Sequence, residues 1–514
     1  MSGCPQVANL KKVKITVMFN QEGSCNYLMK TSRREFLAAG GAFALLLNGG
    51  CAFRAANGRF GGDAAEIRFG VLSDIHLRER GDEKRLLTSL EFFRSRNVDG
   101  VVIAGDIADR GRRFQLEMLA AAWESVFPGG RGADGRPVER LFIYGNHCVE
   151  AWTWGEPYKG RDDLAAKEAI GYGDNRARMW EEVFHEKYEP IWMKNVKGFT
   201  FIGAHWKDGG VHTDIDRFLA EHADELDPTR PFFYIQHAHP KGTCYGEWAW
   251  GHDDGVSTRA LSAFPNAVAF SGHSHYTLTD DRTVWQGAFT SINTASLKYA
   301  SQDYSLRDNV CHASNEFGYT GERERAKPMN NVDTMRMGQG MLVSVYGDRM
   351  VIERREFVSG ENLALGDDWV MPLPVKGSER PYAYEAQAKR KVAPEFASGA
   401  KVAVSFVESE RQGVGRVARL EFPRAVETDR ASRVFEYEVS AVLVEDDVDL
   451  VQVQRRFLAP DFAEPLARAE ATCRFDVPVS ELKLKGRYRF EARPLESFGK
   501  KGAPISSGVV TVGE

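Results

Sequence analysis

From residue 67 onwards, short apolar runs rich in β-branched and aromatic side chains are separated by longer stretches with helical periodicity. Ile67–Leu72, Val101–Ala104, Leu141–Tyr144, Phe232–Ile235 and Ala267–Phe270 read as strands, and Leu86–Phe93 and Leu116–Val126 as helices between them. Strands alternating with helices predict an α/β domain. Each of the five strands runs into polar residues: Ser73-Asp74, Gly105-Asp106, Gly145-Asn146-His147, His237 and Gly272-His273. Ligand sites in such sheets form beyond the carboxyl ends of strands, so five such ends predict one site.

The pattern closes near residue 358 with a hairpin, Met341–Tyr346 and Met350–Phe357 around Gly347-Asp348. Residues 361–380, with their Pro and Gly, read as a linker between an α/β domain over 65–360 and a second domain over 381–514. In the second domain Phe435, Tyr437, Val439 and Ala441 share one strand face, and Glu436, Glu438 and Ser440 the other. Tyr488, Phe490 and Ala492 alternate with Arg489, Glu491 and Arg493. Repeated short strands of this kind predict an antiparallel β-sandwich, and the run Tyr488–Gly499 resembles the end of a fibronectin type III module.

Before the α/β domain, Thr31-Ser32-Arg33-Arg34-Glu35-Phe36-Leu37 and the apolar run Ala38–Leu47 resemble a bacterial twin-arginine export signal. The run is too short and glycine-rich for a membrane span, although a basic helix start leading into a buried helix also fits it. Residues 29–60 thus read as export signal and linker, and residues 1–28, ahead of Met29, as an upstream extension. The expected location is periplasmic or cell-surface. Cys51 after Leu47-Asn48-Gly49-Gly50 is similar to a lipoprotein processing site, but Asn48 stands where such sites carry an aliphatic residue. Lipid anchoring through Cys51 and release both fit.

Composition narrows the partners. The 514 residues are 43% hydrophobic and 27% charged, which are globular values. Lys and Arg (67) nearly balance Asp and Glu (72), and no strongly basic domain stands out, so duplex nucleic acid is not favoured. Small phosphate esters stay open, because bound cations supply their own positive charge. The seven cysteines form no CxxC pair, so neither a disulfide framework nor a zinc ribbon is implied. A single bridge, for instance between Cys244 and Cys311, would suit an oxidising compartment, but the sequence does not establish one.

Five pieces carry the chemistry: Asp74-Ile75-His76; Gly105-Asp106-Ile107-Ala108-Asp109-Arg110; Gly145-Asn146-His147; His237 within Gln236-His237-Ala238-His239-Pro240; and Gly272-His273-Ser274-His275. Carboxylate, imidazole and amide oxygen are donors that suit Mn, Fe or Zn. In this order the pieces resemble the calcineurin-like metallophosphoesterase family, over roughly residues 67–358. The resemblance implies a β-sandwich core flanked by helices and two divalent or trivalent metal ions about 3.5–4 Å apart, with an activated water as nucleophile. Asp74, His76 and His275 would bind one ion, Asn146, His237 and His273 the other, and Asp106 both. His147 would give a proton to the leaving group or stabilise transition-state charge, with Asp109 orienting it. Arg110 is left open between a bidentate phosphate contact and a structural ion pair. The chain departs from the family at Cys148, where an acid often follows Gly-Asn-His. At Asp109 the purple acid phosphatases carry a metal-binding tyrosine.

A single His or Asp at a strand end is ordinarily a cap; seven in order are not. His239 reads first as a packed or surface histidine before Pro240 and second as a contact behind the site or to phosphate. His205 follows a strand-like run but fits none of the motifs. Trp152, Trp154, Trp180, Trp192, Trp206, Trp248 and Trp250 read first as core and second as a stacking surface. The stretch from Tyr304 to Met337, with Arg307, Arg323, Arg325 and Arg336, reads as a substrate cover or, since Glu322 and Glu324 interleave, as a solvated charge run. The expected function is hydrolysis of phosphomonoesters or nucleotides outside the cytoplasm. A phosphodiesterase acting on cyclic nucleotides, lipid head groups or nucleic acid is the alternative. A non-catalytic surface protein, its sandwich contacting a cell surface or glycan, is the reading from another class.

Overall fold

The computed structural model describes residues 64–151, 176–207, 210–212, 214–244, 253–300, 337–358, 360–374, 379–410, 412–425, 433–445, 448–459, 461–465, 471–482 and 485–512, with the backbone of five short strands besides. The segment read as an export signal, with Arg33, Arg34 and Cys51, lies outside them, as do Trp152, Trp154, Trp248, Trp250 and nearly all of the 304–337 stretch. The chain forms two compact units, residues 1–64 and 65–514. In the first, β1 (Gln6–Leu10), β2 (Val13–Phe19) and β3 (Cys25–Met29) make an antiparallel sheet in that order.

The second unit opens with β4 (Ile67–Leu72), α1 (Glu83–Ser95), β5 (Gly100–Ala104), α2 (Arg113–Val126), β6 (Glu139–Ile143) and the short α3 (Asn146–Val149). Then come α4 (Arg176–Phe184), β7 (Ile191–Val196), β8 (Phe199–Ala204), α5 (Ile215–Glu221), β9 (Phe232–Ile235), α6 (Val256–Leu261) and β10 (Ala267–Ser271). The hairpin of β11 (Val284–Gln286) and β12 (Thr290–Asn293) follows, then the paired β13 (Tyr304–Ser305) and β14 (Val310–Cys311). The antiparallel pair β15 (Gln339–Val345) and β16 (Arg349–Glu356) is the hairpin read from the sequence.

Two sheets stack face to face. One has the order β17-β16-β15-β4-β5-β6, the other β11-β12-β10-β9-β8-β7. Both are parallel where they carry the motifs: β4, β5 and β6 in the first, and β8, β9, β10 and β12 in the second. Ile67, Phe69, Val71, Val102 and Ile143 meet Phe201, Phe233, Val268 and Phe270 between the sheets. The strands are buried on both faces, which is why they read as continuous apolar runs. Helices cover the outside: Leu86, Leu90 and Phe93 of α1, and Leu116, Leu119 and Trp123 of α2, recur at helical spacing and pack outward-facing strand residues such as Leu72 and Ile103.

The stretch expected as a linker is partly sheet. β17 (Leu363–Ala364) and β18 (Trp369–Pro372) pair with β16, so the sheet gains two strands before the chain leaves it. Proline and glycine there mark sheet-edge turns rather than a tether. After α7 (Tyr384–Arg390), an all-β region follows: β19 (Ala403–Glu408), β20 (Arg416–Pro423), β21 (Val434–Val444), β22 (Asp449–Leu458), β23 (Thr472–Pro478), β24 (Gly486–Glu496), β25 (Ile505–Ser506) and β26 (Val510–Val512). Its sheets run β19-β20-β23 and β22-β21-β24-β25, all antiparallel, with β26 also on β24. Phe422, Tyr437, Phe457, Phe475, Tyr488 and Phe490 fill the space between them.

Candidate metal centre

The parallel strands of both sheets end at one edge, and the turns that follow them converge. Asp74 and His76 follow β4, Asp106 follows β5, Asn146 starts α3 after β6, His237 follows β9, and His273 and His275 follow β10. These turns are locked together by backbone hydrogen bonds. Asp74 N donates to Gly105 O, His76 N to Asp106 O, and Gly272 N to His237 O.

Asp74, His76, Asp106, His273 and His275 all have φ between 47° and 68°, the left-handed region that non-glycine residues rarely occupy. Such backbone persists only where its surroundings over-determine it, and it concentrates at functional sites. The flanking glycines have steric reasons. Gly105 has φ 97°, and a Cβ there would lie 2.3 Å from His237 Nδ1. A Cβ on Gly272 would lie 1.8 Å from Ser73 Oγ and 2.3 Å from Asp74 Oδ2. Gly272→Ala should therefore cost about 1–3 kcal/mol, as overpacking does, and weaken cation uptake. Thermal denaturation and elemental analysis check this; an unchanged melting temperature with two metals retained would show slack in the turn.

The side chains form two groups of converging donor atoms. In the first, Asp74 Oδ1 lies 2.9 Å from His275 Nε2, and His76 Nε2 lies 3.3 Å from His275 Nε2 and 3.7 Å from Asp74 Oδ1. In the second, His237 Nε2 lies 3.0 Å from Asn146 Oδ1 and 3.1 Å from Asp106 Oδ2, and His273 Nδ1 lies 3.1 Å from Asn146 Oδ1. Asp106 Oδ2 also stands 3.8 Å from His76 Nε2, so one carboxylate oxygen faces both groups.

The outward-facing atoms are already engaged. Asp74 Oδ2 accepts from Ser73 Oγ (2.6 Å) and His273 N (2.9 Å), and Asp106 Oδ1 accepts from His147 N (2.8 Å). His237 Nδ1 donates to Ala104 O (2.8 Å) and His275 Nδ1 to Tyr299 O (3.2 Å), which turns their Nε2 lone pairs inward. Asp74 Oδ1, though buried, makes no hydrogen bond of acceptable geometry. Lone pairs therefore face lone pairs in a buried space, an arrangement that is unfavourable unless cations or protons sit among them. The Asp74–His76–His275 and Asp106–His237–His273 groups each have the ligand types and spacing to hold an ion, and Asn146 adds an oxygen to the second.

Electrostatics agree with that reading. Burial alone would raise the Asp74 and Asp106 carboxyls, but His275 and His237 beside the first, and His237 and His147 beside the second, hold both below the usual range. Burial likewise opposes the His76 imidazolium, yet Asp109, Asp74 and Asp106 push its pKa up to about 10; Asp106 and Asp74 push His237 up to about 8. Ligation needs neutral imidazoles. Loading metal-free protein should thus release protons from His76 and His237 at pH 7 and chiefly from His76 at pH 9, in addition to the proton of metal-bound water, with apparent affinity rising with pH. Calorimetric titration in buffers of different ionisation heat measures the release at each pH. The stability that these imidazoliums give the metal-free fold is complete below their ordinary 6.5, and is lost as pH rises through about 8 and then about 10.

His147 stands at the mouth of this cluster, its ring 4.4 Å from that of His76. Its Nδ1 bonds the backbone carbonyl of Asp109 (3.1 Å), while the Asp109 carboxylate lies 3.9 Å from His147 Nδ1 and 3.6 Å from His76 Nδ1. Asp109 thus positions His147 through its main chain, and its carboxylate backs His76 instead. Spacing along the chain does not separate these two roles. Arg110 Nε is 3.4 Å from Asp109 Oδ2, an ion pair at the rim.

The structure decides between several of the readings left open. Cys244 carries a buried free thiol, its Sγ against Thr283 O (3.0 Å), while the Cys311 side chain lies outside the described residues. Trp180, Trp192 and Trp206 are buried, which denies them a stacking role towards substrate. Trp206 packs instead against the His237 and His273 rings at 5.7 and 5.6 Å, with its Nε1 on Glu150 Oε1 (2.6 Å). His205 accepts a hydrogen bond from Tyr144 N among Tyr144, Trp180 and Tyr188, and is a packed core histidine. His239 is buried as well and falls outside both donor groups. Sequence reading missed Ser296, Glu150 and Tyr299. Ser296 Oγ bonds Asp74 O, and the Tyr299 ring lies 4.3 Å from that of His275. Ser296 and Tyr299 reach the site through a loop more than two hundred residues from Asp74, and no local pattern marks them.

Residues 67–277 match the family model described as calcineurin-like phosphoesterase. The matched stretch spans both donor groups. The fold is accordingly a mixed α/β metallophosphoesterase core with a separate C-terminal all-β region. No curated protein matches the chain. Among solved structures it is similar to a dimetal phosphatase from Danio rerio (14% identity, 60% of this chain and 99% of that one, TM-score 0.33). It is also similar to GAP50, the anchor in the inner membrane complex of Plasmodium (12% identity, 61% and 90%, TM-score 0.31), and to a Vps29 mutant from Entamoeba histolytica (11% identity, 60% and 99%, TM-score 0.26).

Proposed function

We propose that this chain hydrolyses phosphate esters using two metal ions, one held by Asp74, His76 and His275, the other by Asn146, His237 and His273, with Asp106 shared. The observation that carries the reading is Asp106 Oδ2, which faces donor groups on both sides while Oδ1 is held by the His147 amide. Bound there, such ions would polarise the phosphoryl group and lower the pKa of water from 15.7 towards about 7. The protein's own part is to fix the donors through Ser73, Ala104 and Tyr299 and to present His147 to the leaving-group oxygen. Arg110, ion-paired with Asp109 at the rim, is the proposed contact for the ester's anionic oxygens.

Phosphomonoesters or nucleotides are the proposed substrates, and Mn, Fe or Zn the proposed metals. The Arg33-Arg34 segment supports action outside the cytoplasm, and peptide mapping of the mature N-terminus tests that. The two antiparallel sheets at the C-terminus support the fibronectin type III-like reading of 381–514. Assay of the purified protein with nitrophenyl phosphate and bis-nitrophenyl phosphate, with added Mn or Zn, tests the activity. Faster turnover of the monoester supports a phosphatase and of the diester a phosphodiesterase. No turnover of either by protein carrying two metals would sink the enzyme reading in favour of a surface-binding protein.

A further inference from the structure

We propose that Gln339 is a positioning residue through which the C-terminal sandwich fixes the Asp74–His76–His275 half of the metal centre; this rests on the two-metal reading above. Gln339 is buried at the start of β15 and, beyond its strand pairing, makes four hydrogen bonds in three directions. Its Oε1 accepts from Leu278 N (2.8 Å) and Thr277 Oγ1 (3.1 Å), just beyond His275. Its backbone N donates to Ser296 O (2.8 Å). Its Nε2 donates to Ala463 O (2.8 Å), in the loop that follows β22 of the sandwich.

Ser296 carries the restraint onward. Its Oγ donates to Asp74 O (3.0 Å) and accepts from Lys298 N and Tyr299 N (3.0 Å each). Leu297 N and Lys298 N donate to the carbonyls of Ser73 and Asp74. Tyr299 O in turn accepts from His275 Nδ1. Two of the three strained residues of this half, Asp74 (φ 51°) and His275 (φ 57°), are therefore held from behind by a network that meets at Gln339. Strained backbone relaxes when its restraints are removed.

The sandwich's contribution is to decide which way the amide faces. With Ala463 O opposite Nε2, the oxygen must face Leu278 and Thr277; without it, the amide could turn and set a donor against Leu278 N–H. The Ala463 loop is itself pinned, since Arg433 Nη2 donates to Asp461 O (3.1 Å) and Glu464 O (2.7 Å), and Nη1 to Leu365 O (3.4 Å). Ala300 and Met337, at the two ends of the 301–336 segment, lie in the sandwich's apolar core. The sandwich thus holds the wall of the centre on which Tyr299 sits.

The experiment titrates the full metal-free chain with Mn(II), and separately with Zn(II), by calorimetry and elemental analysis. Wild type should bind two ions. Gln339→Ala, and Arg433→Lys, which keeps bulk and charge but cannot span both carbonyls, should weaken one ion about tenfold or more while the other changes little. General destabilisation would weaken both ions together, and that result would overturn the proposal. Arg419→Ala, which removes only the Arg419–Asp476 pair on the other sheet, should bind as wild type. If circular dichroism shows that Gln339→Ala does not fold, Arg433→Lys decides. A wild-type chain that takes up no ion overturns the two-metal reading and this inference with it. Two ions in wild type and unchanged affinities in the variants overturn this inference alone.

Discussion

Asp106→Asn is expected to keep the fold, to retain at most one of two metal ions, and to slow ester hydrolysis by at least about 10³, roughly 4 kcal/mol of barrier. The two carboxylate oxygens of Asp106 have different duties, and an amide cannot perform both. Oδ1 accepts the His147 backbone N–H at 2.8 Å, and Oδ2 faces His237 Nε2 at 3.1 Å and His76 Nε2 at 3.8 Å. If the asparagine oxygen keeps the bond to His147, its NH2 group points into the space proposed for both ions. If the amide turns over, the NH2 meets the His147 N–H and the start of α3 shifts. Either way one negative charge is lost from a buried cluster whose imidazoles are held by carboxylates. Elemental analysis of purified variant beside wild type checks the count; two metals retained at wild-type affinity would remove Asp106 from its shared position.

His147→Ala should behave in the opposite way, keeping both metals and losing about 10²–10⁴ in rate, as expected for a lost general acid. None of the proposed ligand contacts comes from its ring, whose Nδ1 is on the Asp109 carbonyl, so removal leaves the donor groups in place. Nitrophenolate leaves easily without a proton, whereas an alkoxide does not. The deficit should accordingly be larger on an alkyl phosphate than on nitrophenyl phosphate. His147→Gln, which can donate a hydrogen bond but transfers no proton, separates the two roles. A glutamine variant as fast as wild type on the alkyl ester would make His147 an electrostatic rather than a proton-donating group.

The two predictions differ because the residues sit at different depths. Asp106 is buried between the sheets' ends, where a change of charge cannot be screened by water. His147 is partly open at the mouth, where a substrate oxygen can reach it and where its loss can be filled by solvent.

What the chain's own pattern determined was the layout: five apolar strands buried on both faces, each ending in a ligand-type residue, and a second domain of alternating strands. Strand and helix periodicities are local properties, and so is the glycine that must precede Asp106 or His273 when their turns pack atom against atom. Only the tertiary structure decided which atoms meet. It assigned the main chain of Asp109 to His147 and its carboxylate to His76, and it kept Cys244 a thiol. It turned the expected linker into β17 and β18, and it brought Ser296, Tyr299 and Gln339 up behind Asp74 and His275. Those pairings join residues far apart in sequence, and their directions follow from how two sheets and a sandwich pack, which no short-range spacing records.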